Sequence, residues 1–240
     1  MTAVSEERLG FRTYLADLTR AQKSGAGVPA YTRWVNRRLA RGVAASAAAL
    51  GLSANAVTIA SAGLSAIGLG VMIAVGPTWW SALLTGVLLA AGYVFDSADG
   101  QVSRLTGTSS PAGEWLDHVV DAIRTPAIHL TVVVAVVLHQ PHLAWLAVVA
   151  MLFAVMSVGQ FMSQILAEQL VRNAGGEAAE ANGMRKSVML LPTDTGVLCW
   201  SFALWCVPPV FAGVYTALFA VNFVHTAVSM RRKYRKLRER

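Results

Sequence analysis

Charge is scarce in this sequence: Asp, Glu, Lys and Arg make up 14% of 240 residues, against 55% apolar residues and a mean hydropathy of +0.52. So little charge with so much apolar sequence excludes a disordered chain and a water-soluble globular one, because no soluble core of this size hides that much hydrophobic sequence. Cysteine is scarcer still. Cys199 and Cys206 lie seven positions apart in one apolar stretch, two helical turns along and too far apart to bridge, so they read as lipid- or core-facing residues. A cleavable leader is also lacking. The first 28 residues hold Glu6, Glu7, Arg8, Arg12, Asp17, Arg20 and Lys23 and no apolar run, so the N-terminus is expected to stay on the side of synthesis.

What is present in abundance is charge-free sequence. Such runs cover 56 to 75, 79 to 95, 125 to 139, 143 to 167, 195 to 207 and 209 to 230, broken by Gly76-Pro77, His139-Gln140-Pro141-His142 and Pro208-Pro209. At 1.5 Å rise per residue, about 20 residues cross a hydrocarbon slab roughly 30 Å thick. The expected fold is an all-α integral membrane protein with six transmembrane helices over 51 to 230. The fifth span is expected to start anywhere from Leu190 to Thr195.

The basic residues bear on the same topology. Eight of the 20 Lys and Arg fall in residues 1 to 41, seven in the tail 231 to 240, and five between, at Arg104, Arg124, Arg172, Arg185 and Lys186. None lies in the three short turns assigned to the outside, as expected of an even number of spans with both termini and the active site in the cytoplasm. The net charge of +7 is thereby a topology signal and needs no nucleic acid. Within 29 to 50, Tyr31, Val35, Leu39 and Val43 recur every four residues, and Arg33, Arg37 and Arg41 do so about 200° around the helix. These opposed faces predict an amphipathic helix lying in the membrane interface, with Trp34 at headgroup depth. It follows a cytoplasmic segment, residues 1 to 28.

Acidic residues are few but not scattered. Asp96, Asp99, Asp117 and Asp121 fall within 26 positions, at the cytoplasmic end of span two and the start of span three. Charge beside a bilayer is expensive and usually marks function. Four converging carboxylates outnumber the two guanidiniums nearby, Arg104 and Arg124, and call for divalent cations. Oxygen ligands without a His/Cys cluster select Mg²⁺ or Mn²⁺ rather than zinc, and two ions are expected because one would leave the site at net negative two. The linking segment, with Gly100, Gly107 to Ser110 and Gly113, has small and hydroxyl-bearing residues suited to holding a diphosphate, so phosphoryl transfer is the chemistry expected.

The run Asp96-Ser-Ala-Asp99-Gly100-Gln-Val-Ser103-Arg104, then eight residues to Gly113, three to Asp117 and three to Asp121, resembles the signature of the CDP-alcohol phosphotransferases. The signature reads D-x2-D-G-x2-A-R-x8-G-x3-D-x3-D, and only Ser103, standing where that pattern has Ala, departs from it. The resemblance implies that Asp96, Asp99 and Asp117 are metal ligands, and that Asp121 completes the second ion's shell and acts as general base. It implies that Gly100, Arg104, Ser110 and Gly113 contact the CDP part of the donor, and that Asn55 and Thr58, at the start of span one, face the nucleotide. A local reading of that start is an N-cap by Ser53 or Asn55 with Thr58 bonded back into its own helix. A homodimer in a bacterial inner membrane is the expected assembly and location.

The shared motif does not name the substrates. Chain length and span number resemble the enzymes that join CDP-diacylglycerol to a polar alcohol such as glycerol phosphate or inositol phosphate. Ser109-Ser110-Pro111 and His118 resemble instead the branch that moves choline or ethanolamine phosphate from its CDP ester to a lipid alcohol. For a phosphorylated acceptor, Arg172, Arg185 and Lys186 are the expected binding cations. Arg124 can neutralise the aspartates or touch substrate. A divalent-cation transporter is the non-enzyme alternative, disfavoured because the outer halves of the spans carry no acid.

Overall fold

The computed structural model describes residues 10–20, 28–173, 187 and 190–239; within these the chain forms helices and no strand. Helix α1 is Phe11–Arg20. A π-helical turn, Thr32–Asn36, runs straight into α2, Arg37–Leu50, which Gly51 ends in the left-handed conformation (φ 70°) that a residue without Cβ adopts readily. Then come α3, Ala54–Val75; α4, Trp79–Leu105; α5, Pro111–His139; and α6, Ala144–Asn173. A short α7, Thr195–Ser201, continues as a 3₁₀ turn, Phe202–Cys206, before α8, Pro208–Arg238.

Local sequence sets the helix starts. Ser53 caps α3 by accepting from Ala56 N–H at 3.2 Å, Thr78 and Ser81 form a capping box on α4, and Ser110 caps α5 ahead of Pro111. Trp79, Trp80 and Trp145 are exposed at one end of the bundle, Trp34 and Trp115 at the other, as aromatic residues settle at the two membrane interfaces.

Five helices are long and apolar enough to cross a membrane: α3, α4, α5, α6 with the turn before it, and α8. The expected fifth span over 195 to 207 is shorter than foreseen. Its seven α-helical and five 3₁₀ residues extend about 20 Å, less than the roughly 30 Å of a hydrocarbon core. The reason is local: Asp194 caps α7 by accepting from Gly196 N–H at 3.0 Å, and the helix cannot begin earlier. Helices α6 and α8 run parallel, since Phe153 meets Phe219 and Gln160 meets Thr226. The chain between them therefore has to return to the end where α6 began.

The interface helix has a third face that hydropathy did not reveal. Val35 and Leu39 are exposed, as expected, but Ala40, Ala44 and Ala47 are buried in a cluster with Val94, Ala98 and Val102 of α4, and the buried Asn36 donates to Tyr93 O and Ser97 Oγ of the same helix. Small side chains let α2 approach α4 closely, and Leu18 of α1 joins the same cluster. The start of the helix is clamped to α7. Asp194 accepts from Thr32 N–H and from the Thr32 hydroxyl, each at 2.8 Å, and the Tyr93 hydroxyl donates in turn to Thr32 at 2.7 Å. Tyr31 lies so close to Gly196 that any side chain there would collide with its ring.

Candidate active site

Helices α3 and α4 pack closely through small residues: a Cβ on Gly92 would strike Ser65, while Ser61 donates to Gly92 O at 2.8 Å. This contact brings the start of α3 beside the acidic turns of α4, and α5 closes the third side. Asp96, Asp99 and Asp117 then offer one carboxylate oxygen each within 4.8 Å of one another. Asp121 is held differently. Arg124 Nη2 donates to Asp96 Oδ1 at 2.7 Å and also to Asp121 Oδ1, and Nη1 donates to Ser61 at 2.9 Å. One guanidinium thus ties α3, α4 and α5 together and neutralises a single one of four carboxylates.

The remaining negative charge, largely shielded from solvent, fits a divalent cation: hard oxygen donors from two helices already converge, and without a cation they repel. Asp99 is oriented for this. Its Oδ2 accepts from the Thr58 hydroxyl at 2.6 Å and its Oδ1 from Gly100 N–H at 2.5 Å. Thr58 is also 3.1 Å from Ala54 O, so one hydroxyl reaches both the helix backbone and the aspartate.

Two cavities meet at the carboxylates. The larger, about 580 Å³, is lined by Asn55, Thr58, Asp99, Gly100, Arg104, Ser110, Gly113 and Asp117. Close backbone approach explains its glycines. A Cβ on Gly100 would lie 3.2 Å from Arg104 Nη1, and one on Gly113 would lie 3.3 Å from Ser110 Oγ and 3.4 Å from Asn55 Oδ1. Gly107, with φ +67°, turns the chain between α4 and α5. The smaller cavity, about 250 Å³, opens on the other side of the cluster, where Asp96, Asp121 and Arg124 form its wall.

A family model for CDP-alcohol phosphatidyltransferases matches residues 52–228, most of the chain. The chain belongs to this family. It is accordingly a membrane transferase of the phosphotransferase type that serves phospholipid synthesis. No curated protein matches the chain closely enough to be counted a relative.

Family membership puts the remaining candidates in context. Arg172, at the end of α6, pairs with Glu114 at 3.7 Å, and Glu114 lines the larger cavity rather than the smaller. Arg185 and Lys186 lie outside the described residues. His118 stands 3.9 Å from Asp117 and 4.0 Å from Glu114, beyond hydrogen-bond range, with its ring edge-on to Phe161. Sequence reasoning missed Ser61, which fixes Arg124, and the entire smaller cavity. Ser61 carries no motif signal, and the cavity is assembled from α4 to α8, so no local spacing announces it.

Proposed function

We propose that this protein moves a substituted phosphoryl group from CDP-diacylglycerol to the hydroxyl of a small polar alcohol, releasing CMP. The observation that carries this reading is the pair of cavities divided by one carboxylate cluster, as a two-substrate transfer requires. The donor's nucleotide and diphosphate occupy the larger cavity, with Arg104 on the diphosphate and Gly100 and Gly113 leaving room for close approach. Asp96, Asp99 and Asp117 would hold Mg²⁺ or Mn²⁺, and Asp121 would share in holding a second ion. These ions, when bound, supply charge neutralisation at the diphosphate. The acceptor's oxygen reaches the β-phosphorus from the side of Asp121, which takes the hydroxyl proton, and CMP departs with the bridging oxygen. A transport path is disfavoured because Phe202, Trp205, Phe211 and Tyr215 fill the far half of the bundle and are fully buried.

Purified protein in detergent with Mg²⁺ should release CMP from CDP-diacylglycerol only when an alcohol is supplied. Absence of CMP release across CDP-linked donors and alcohols would overturn the proposal.

The proposal includes six membrane passages, with the 12-residue piece Thr195–Cys206 completing the return between the parallel helices α6 and α8. Both termini then face the cytoplasm, and the π-helical turn together with α2 lies in the interface with Arg33, Arg37 and Arg41 toward phosphates. The homodimer and the bacterial inner membrane rest on the family likeness alone. Single cysteines placed at 139 to 142 should react with an impermeant reagent on intact cells. Labelling there only after permeabilisation would overturn this orientation.

A further inference from the structure

We infer that Ser61 is a positioning residue of the transfer site: it holds Arg124 in a posture that engages one oxygen of Asp96 and one of Asp121, and it prevents the guanidinium from closing a two-point pair on either. The inference rests on the transferase reading above, which gives Asp96 to the ions and Asp121 to the acceptor's proton.

The geometry begins where α3 crosses α4. Ser61 is fully buried there, and its hydroxyl donates to Gly92 O at 2.8 Å. A serine hydroxyl has one proton to give. With that proton spent on α4, the oxygen accepts on its other side, where Arg124 Nη1 donates to it at 2.9 Å. Arg124 reaches this point from α5, and its side chain is only 11% exposed. Its Nη2 serves two acceptors, Asp96 Oδ1 at 2.7 Å and Asp121 Oδ1.

A guanidinium facing a carboxylate favours the fork, two parallel N–H bonds to the two oxygens. Two carboxylates stand within reach of Arg124, and a fork on either would spoil the site. On Asp96 it would compete with an ion for both oxygens; on Asp121 it would cover the group that takes the proton. Ser61 occupies Nη1, which closes the end-on fork and fixes the plane of the group, so Arg124 meets each carboxylate through Nη2 and Oδ1. Each aspartate thus keeps a second oxygen outside the guanidinium's grip. Divalent ions on Asp96, Asp99 and Asp117 are compatible with this division, because they supply the positive charge that one guanidinium lacks and need only the oxygens it leaves. The aspartate signature includes neither Ser61 nor Arg124, and 63 positions separate the two.

The experiment uses the purified full chain in two assays. One is CMP release from CDP-diacylglycerol with glycerol 3-phosphate or myo-inositol as acceptor; the other is Mn²⁺ binding without substrate, read from the electron spin resonance of the free ion. Ser61→Ala should lower kcat about 10- to 100-fold and weaken Mn²⁺ binding about 10-fold, with the donor's KM within about two-fold of the parent's. Ser65→Ala is the packing control. Ser65 lies one turn deeper at the same crossing, where a Cβ on Gly92 would strike it, and its loss should leave both readouts within about two-fold. Arg124→Lys separates posture from packing, since an ammonium is a point donor and makes no planar fork. That variant should keep Mn²⁺ binding and turnover within about 10-fold of the parent, and adding Ser61→Ala to it should cost less than about two-fold more. Equal losses from Ser61→Ala in both backgrounds would overturn the inference. So would a Ser61→Ala chain with normal kcat and Mn²⁺ affinity, or failure of the parent or of Arg124→Lys to bind Mn²⁺. If the parent binds Mn²⁺ but releases no CMP, the transferase reading fails, while the Mn²⁺ comparison across the four chains still decides whether Ser61 sets the posture of Arg124.

Discussion

Asp96→Asn and Asp99→Asn should each abolish measurable CMP release, a loss of at least about 10²- to 10³-fold, the scale on which single groups that stabilise transferring charge act. Both substitutions keep side-chain volume and remove one negative charge from a cluster whose ligand oxygens lie within 4.8 Å of one another. Folding should survive, since the change relieves like-charge repulsion and Arg124 keeps Asp121 as a partner after Asp96 is lost. The expected signature is therefore an inactive protein whose unfolding temperature without metal is unchanged or raised. Added Mg²⁺ should stabilise the parent chain and these variants unequally. Thr58→Val supplies a graded control: it removes the 2.6 Å hydrogen bond that orients Asp99 and should cost about 10- to 100-fold, less than losing the ligand itself. Full activity of the parent chain in excess chelator would overturn the metal-dependent reading.

The aspartate cluster was legible because its information is local. The steps of three and four residues within Asp96–Asp99 and Asp117–Asp121 place each pair on one helix face, and the Gly107 turn leads directly from one helix to the other, while α3, packed on both, holds them facing each other. The cap at Ser53 was equally local, whereas the caps at Thr78 and Ser110, though set by side chains of the same kind, were not read from the sequence. What escaped was tertiary. The alanines of α2 are weakly apolar, so the pattern of Val35 and Leu39 dominated the reading, yet Ala40 and Ala44 are the residues buried against α4. Asp194 carries no motif signal in the sequence. Its partners, Thr32 and Tyr93, are far away in sequence, and the clamp they form sets where α7 begins. The smaller cavity draws residues from five helices and their connections, and only their packing creates it.

Asp121→Asn should lower kcat by about 10²- to 10⁴-fold while changing the donor's KM much less, because Asp121 faces the acceptor's cavity and does not line the donor's. An alcohol holds its proton too tightly to attack phosphorus at neutral pH, and a carboxylate that removes the proton as the new bond forms makes the oxygen competent. Arg124 fixes Asp121 Oδ1 and ties it to the same guanidinium as Asp96, so the base is held at the edge of the ligand cluster. Asparagine preserves that contact with Arg124 through its carbonyl oxygen but cannot take the proton. The competing route is a double displacement through an enzyme nucleophile. Its nearest candidates are poorly placed: Ser110 is occupied as the cap of α5, accepting from Gly113 N–H at 3.1 Å, and His118 lies 3.9 Å from Asp117 without a hydrogen bond to activate it. That route requires a burst of CMP, or exchange of labelled CMP into the donor, with no acceptor present. Single in-line displacement requires neither, since the bond to the departing CMP breaks only as the acceptor's oxygen arrives. A stoichiometric burst without acceptor, or normal turnover by Asp121→Asn, would overturn the assignment of Asp121 as the base.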